Sequence, residues 1–202
     1  MTRRKPTANR RADIVKTTLD LAFEQGPDRV TTGMIAARLG LTQPAIYKHF
    51  PRKGEIWVEI AKSLQAEISA NISRALAPEH APVDRIRMLV RDQLAIVNQT
   101  PALPDIMVMR SGDKHHGVLQ TTMQTIMEDF RSALISVVDA AKADHSLDPS
   151  IDASDAAALV FGVIQSQVLL MLFTRKRENI LENGERLLNL LLSSLENKEK
   201  TR

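Results

Sequence analysis

Between Thr42 and Lys53 the chain gathers Gln43, Tyr47, Lys48, His49, Arg52 and Lys53 in close succession. These are donors, acceptors and cations, not nucleophiles matched to bases. A glutamine amide carries a donor and an acceptor side by side, the pair that an adenine edge meets in the major groove. Lysine, arginine, tyrosine and threonine side chains suit phosphate oxygens. The chemistry is therefore non-covalent recognition of a nucleic acid. Other chemistries lack their residues. There is no cysteine, so neither a disulfide framework nor a thiolate metal site is expected. His115 and His116 follow Asp113, but neighbours on a helix diverge in direction and no third ligand stands at a fixed spacing. No metal and no cofactor is expected. No glycine-rich phosphate loop follows a strand, and Ser, His and acidic residues are scattered, so no catalysis is expected.

Side chains of this kind act only if an element presents them. Val30 to Phe50, VTTGMIAARLGLTQPAIYKHF, reads as two short helices joined by a tight turn. Thr31 and Thr32 open the first by offering side-chain oxygens to unpaired N–H groups. Ile35, Ala36 and Leu39 recur at helical spacing, and Gly40 ends the helix by adopting a left-handed turn at little cost. Thr42 restarts the helix, with Pro44 in the first turn where its missing N–H does no harm. Ala45, Ile46 and Phe50 give the second helix an apolar side; Tyr47, Lys48 and His49 give it a polar one. This is the pattern of a helix-turn-helix whose second helix enters the major groove.

TT followed by IAARLGLTQPAIYKHFPRK resembles the DNA-binding motif of the TetR family of bacterial repressors, and the upstream helix ADIVKTTLDLAFEQG, with Ile14, Thr18, Leu21 and Ala22 inward, is similar too. The motif also resembles that of the family's nucleoid-occlusion branch. The resemblance implies that Gln43, Pro44 and Ala45 approach base edges and that Thr32, Tyr47, His49 and Lys53 hold phosphates. Thr31, Thr42, Lys48 and Arg52 complete the expected DNA-facing set. Two departures stand out. Gly33 replaces an arginine that lies on a base in the tetracycline-binding branch, and Arg52-Lys53-Gly54 replaces a small capping residue and an acid, so Arg52 is expected to add a phosphate contact.

Charge agrees. Residues 1–62 hold 12 Lys/Arg against 6 Asp/Glu, whereas residues 63–202 hold 15 against 18. A basic segment joined to a helix-turn-helix points to phosphate binding. Arg3, Arg4, Lys5, Arg10 and Arg11 are expected to form a mobile arm reaching backbone or minor groove. The N-terminus has no apolar region behind its basic residues, so it is not a signal peptide. No run of about 18 apolar residues is evident, so no membrane span and a cytoplasmic location are expected.

Of the 202 residues, 44% are apolar and only 3% aromatic, a composition suited to a helical bundle. Helices are expected at Lys53–Ala77, Val83–Gln99, Asp105–Arg110, Lys114–Ala143, Ala153–Phe173 and Glu182–Glu196. The expectation is an all-α protein: a three-helix DNA-binding domain with a basic arm at 1–52, and a larger helical bundle at 53–202. The helix over 153–173 is apolar almost all round, and a helix apolar on every side must be buried on every side. A second copy of the chain is the simplest partner, since a helix-turn-helix of this kind reads a two-fold double-stranded DNA operator. Ile164, Val168 and Leu172 form one stripe and Leu187, Leu191 and Leu195 another, both assigned to a homodimer interface. Leu159, Val163 and Leu170 are assigned to the monomer core. The resemblance implies a four-helix interface.

The middle helices are rich in methionine. Methionine can line an adaptable cavity or fill an ordinary core. The resemblance implies a pocket for a small-molecule effector, with Leu64, Leu89, Met107, Met123, Met127, Phe130, Phe161 and Gln165 as lining and Arg110 or Gln124 as further polar contacts. The lining is mainly apolar, which suits a hydrophobic or amphipathic ligand. The function read from these features is a ligand-responsive repressor. A structural, nucleoid-related DNA-binding protein that recruits a protein partner is the second reading.

Overall fold

The computed structural model describes residues 7–108, 114–176 and 179–197. Among these residues the fold is all-α, as expected: α1 Thr7–Gln25, a 3-10 turn at Pro27–Arg29, α2 Thr32–Arg38, α3 Gln43–Tyr47, α4 Lys53–Ala75, α5 Pro82–Gln99, α6 Leu103–Val108, α7 Lys114–Ala143, α8 Ala153–Thr174 and α9 Ile180–Leu195. Among the described residues, β-pairing is limited to one isolated bridge between Leu147 and Glu196. Arg3, Arg4, Lys5, Met109, Arg110, Ser111, Gly112 and Asp113 lie outside the described residues, as do the side chains of His115 and His116.

Two compact units divide the chain. The first takes residues 1–65 and 100–123, the second 66–99 and 124–202. Residues 53–65 and 100–123 thus group with the DNA-binding helices and do not follow a single cut at 52/53.

In the first unit, Ile14 and Ala22 of α1, Ile35 of α2, Ile46 of α3, and Ile56, Trp57 and Ile60 of α4 are all buried. On α1, Ile14, Thr18 and Leu21 are buried at steps of four and three, and on α4 Ile56, Trp57 and Ile60 at one and three, so each set lies on one helical face. Trp57 is 1% exposed, and its indole N–H is buried with no partner among the described residues. α1 packs on α2 and also on α6.

The second unit packs α5, α8 and α9 against one another. α5 and α9 approach each other closely at Gly184. A Cβ built there would overlap Leu94 Cδ1 on α5. Leu94 is fully buried, so glycine is what lets the two helices meet. α8 is long and apolar enough to cross a membrane by length and composition alone, which corrects the expectation that no segment is. Gln165, Ser166 and Gln167 interrupt its apolar run in sequence but do not lower its average enough. Asp152 caps α8, accepting from the N–H groups of Ser154 and Asp155 at 2.8 and 3.0 Å. Arg175, at φ 57°, closes its C-terminal end.

Three residues of α8 lie on the side opposite to the one expected in the single chain: Ile164, Leu159 and Leu170. Ile164 is 3% exposed and lies in the core with Ala156, Val160 and Met171. Leu159 and Leu170, expected inside, are 54% and 53% exposed, and Val163 is half-buried. Leu169 and Phe173 are exposed as well. The exposed residues 159, 162, 166, 169, 170 and 173 recur at three and four, so they form one continuous stripe along the helix. A helix apolar all round gives no periodic signal by which to tell its two sides apart, and the alternation of four-residue steps fits either.

Candidate nucleic-acid interface

The turn between α2 and α3 forms as its residues dictate. Thr31 sits at the N-cap of α2 with extended backbone, and its hydroxyl accepts from the Met34 N–H at 3.2 Å. Gly40 takes φ +63° after the helix ends, the left-handed conformation that costs other residues most. Thr42 occupies the N-cap of α3, with Pro44 in the first turn, but its side chain makes no capping bond. Ile46 faces inward from α3, while Thr42, Gln43, Pro44, Tyr47 and Lys48 are exposed and Ala45 is half-buried.

Thr32 departs from its expected capping role. It is 5% exposed, and its hydroxyl oxygen accepts from Gln43 Nε2 at 3.3 Å and lies 3.2 Å from the Tyr47 hydroxyl. Gln43, Thr32 and Tyr47 thus make one short polar chain from α2 to α3. The Gln43 carbonyl and its second N–H have no partner among the described residues. These are the two groups an adenine edge would need.

Arg11 is not in a free arm. It lies in α1, and its guanidinium donates to the His49 carbonyl at 2.6 Å and to Glu59 of α4 at 2.9 Å. The same group stands 4.1 Å above the Phe50 ring. One cation thus joins α1, the end of the recognition helix and α4 within the first unit. The expectation of Arg11 in a mobile arm is corrected: a positive residue next to a basic tail reads as part of it unless its distant partners are known. Arg10 lies 3.8 Å from Asp13 on its own helix. Arg52, expected on phosphate, donates from Nε to Glu55 at 3.0 Å, although most of its side chain remains exposed. Lys53 is half-buried at the first position of α4. His49 is half-buried, with Nδ1 buried and unpartnered among the described residues.

Arg38 at the end of α2 holds Glu24 of α1 by two bonds, at 2.9 and 2.6 Å. The bonds from Arg38 keep the Glu24 carboxyl below its ordinary value, and those to Glu24 raise Arg38.

Residues 14–60, which include both helices of this turn, match the model of bacterial regulatory proteins of the tetR family. That stretch is a DNA-binding domain of the TetR type. Along most of its length it is similar to the nucleoid occlusion factor SlmA of Photobacterium profundum, at 27% identity over 161 residues, 79% of this chain and 82% of that relative. In fold, this TetR-type chain is similar to the ketosteroid transcriptional regulator KstR2 of Mycobacterium tuberculosis, with TM-score 0.75 at 15% identity over 94% of this chain and 96% of that one. It is also similar to the transcriptional regulator FadR of Bacillus subtilis in complex with stearoyl-CoA, with TM-score 0.70 at 14% identity over 91% and 98%. The chain thus has the fold of a TetR-type DNA-binding regulator.

The residues expected to line an effector pocket divide between the units. Leu64, Met107 and Met123 fall in the first, and Leu89, Met127, Phe130, Phe161 and Gln165 in the second. Within the second unit Phe130 and Phe161 pack at 6.1 Å between ring centres with a 51° tilt. Phe130 and Leu89 are buried, whereas Met127, Phe161 and Gln165 are half-buried, and Gln124 is exposed. Val168, Leu172, Leu187, Leu191 and Leu195, expected at a dimer interface, are half-buried in the single chain. On α9 Leu190 stands out at 70% exposed. Sequence reasoning missed it because it searched for four-residue repeats, and Leu190 lies between two of them.

Proposed function

We propose that the protein is a transcriptional repressor that binds a two-fold operator as a homodimer and leaves it when a hydrophobic or amphipathic small molecule binds. The DNA half of this reading is carried by one observation: an exposed α3 whose Gln43 is held in place with a donor and an acceptor still available. Thr31, Thr42, Pro44, Ala45, Lys48, Arg52 and Lys53 supply the surrounding donors and shape. The dimer half is supported by the apolar stripe of α8, Leu159, Leu169, Leu170 and Phe173, together with Leu190 of α9. Exposed apolar area on this scale marks an interaction surface. Each subunit then offers one recognition helix to one half-site. A dimeric DNA-binding regulator acts where the chromosome is, so we place it in the cytoplasm.

The effector half is supported by the Phe130–Phe161 pair with Met127 and Gln165 nearby in sequence, an apolar set with one polar handle. The similar FadR fold is a complex with stearoyl-CoA, an amphipathic molecule of the class proposed here. α4 is continuous from Lys53 to Ala75, with its start beside the DNA-binding residues. Effector binding shifts that helix and so changes the separation of the two recognition helices. The test measures anisotropy of a labelled operator recovered from a randomised duplex pool. Long-chain acyl-CoA and other apolar ligands are added after their binding has been measured calorimetrically. Operator affinity should fall roughly 5- to 150-fold. Ligands that bind and leave operator affinity unchanged would remove the repressor-release reading.

The similarity to SlmA supports a second reading, a nucleoid-related DNA-binding protein with a protein partner. Chromatin immunoprecipitation separates the two. A few sites beside genes support the repressor, and many dispersed sites support the nucleoid-related protein.

A further inference from the structure

Gly33 follows Thr32 in α2 and adopts ordinary helical backbone, so no turn geometry requires a glycine there. Its neighbourhood does. A Cβ at this position would stand 3.0 Å from Gln43 Nε2 and 3.7 Å from both Gln43 Cδ and the Thr31 hydroxyl oxygen. The first distance is tighter than nearly all such contacts, so a carbon there would press on the amide nitrogen. The amide would have to move. Its bond to Thr32 is already long at 3.3 Å, so a shift of a few tenths of an ångström takes it out of hydrogen-bonding range.

We infer that Gly33 is a specificity-determining position, and that its missing side chain is what allows Gln43 to dock on Thr32 and read DNA in one fixed orientation. The inference rests on the reading of Gln43 as a base contact. It adds a reason for that orientation. Tyr47 lies against the Thr32 oxygen, Thr32 holds one N–H of Gln43, and the lack of a Cβ on Gly33 leaves the amide packed over it undisturbed. The remaining N–H and the carbonyl then face the DNA as a preset pair. A reader held in this way loses less rotamer freedom on binding than a free glutamine would. A side chain at position 33 would push the amide off Thr32 and let it sample other edges.

The prediction separates specificity from stability. Alanine is a better helix former than glycine, so Gly33→Ala should melt at the wild-type temperature or above it. Gly33→Ser supplies the same Cβ should the alanine variant express poorly. Wild type, Gly33→Ala, Gln43→Ala and the double variant are each used to select from a randomised duplex pool, and the recovered DNA is sequenced. Gly33→Ala should lower discrimination roughly tenfold at the base pair that Gln43→Ala also affects, and little elsewhere. The double variant should match Gln43→Ala alone, because the two changes act on one group. If Gln43→Ala alters one base pair and Gly33→Ala leaves that pair untouched, the inference is wrong and the base reading stands. An effect of Gly33→Ala that persists in the Gln43→Ala background also overturns it, since the new Cβ would then act on DNA directly. If Gln43→Ala selects the wild-type sequences, the base reading itself fails.

Discussion

At the residue scale, side chains of one charge have been given two different tasks. Lys48 is exposed on α3 with nothing engaging it in the described structure, whereas Arg11 is spent on the His49 carbonyl, Glu59 and Phe50. Lys48→Ala should weaken operator and random DNA alike and reduce the slope of log affinity against log salt by about 1. Titrations on both DNAs at several salt concentrations check this, and a loss confined to the operator would contradict it. The Glu24–Arg38 pair ties α1 to the end of α2 and carries its own signature. The folded carboxyl titrates below its unfolded value, so its contribution is present at neutral pH. It is lost as the pH falls through that lowered value in the acid range. Comparing the acid melting of wild type with Glu24→Gln should show less pH dependence in the variant. The outward-facing positions of α3 were legible in the sequence, because a helix-turn-helix fixes which positions of its second helix face outward. The Thr32–Gln43 bond and the room over Gly33 were not, since they depend on how far apart α2 and α3 settle.

At the element scale, most helices were legible and their contacts were not. α7 spans Lys114–Ala143 as its periodicity predicts, and α4 and α5 end within about two residues of their expected limits. Proline and glycine punctuation gave these boundaries. α9 is different. Its leucines announced an amphipathic helix, yet the position that sets its packing is Gly184, which sequence reading passes over as a weak helix former. Gly184→Ala forces a methyl into the buried Leu94 side chain. It should destabilise the fold by roughly 1–3 kcal/mol. Urea unfolding gives the comparison, and Leu94→Ala in the same chain should make the glycine change nearly neutral. An alanine variant as stable as wild type would show that α5 and α9 have room to part.

At the scale of the whole molecule, the exposed stripe of α8 suggests where an assembly is broken. Leu170 and Phe173 lie on the exposed stripe, while Ile164 is core. Leu170→Glu should therefore leave the monomer folded, cost the dimer several kcal/mol by burying an unpaired charge there, and abolish operator binding although residues 14–60 are untouched. Sedimentation with circular dichroism reads both halves, and a dimeric Leu170→Glu variant would place the interface elsewhere. Ile164→Glu should unfold the chain outright. Apolarity said that α8 needed two kinds of cover; only the folded chain tells which cover each side receives. The burial of Trp57 also has an optical side. The chain has one tryptophan, in the buried core of the first unit, and one tyrosine, Tyr47, at 44% exposure beside the proposed base-reading Gln43. Red-edge excitation will light the core alone, with short-wavelength emission that iodide cannot quench. Tyrosine absorbance will follow the DNA face separately. The unmodified protein thus carries two spectroscopic reporters, one for the integrity of its DNA-binding unit and one for the occupancy of its surface.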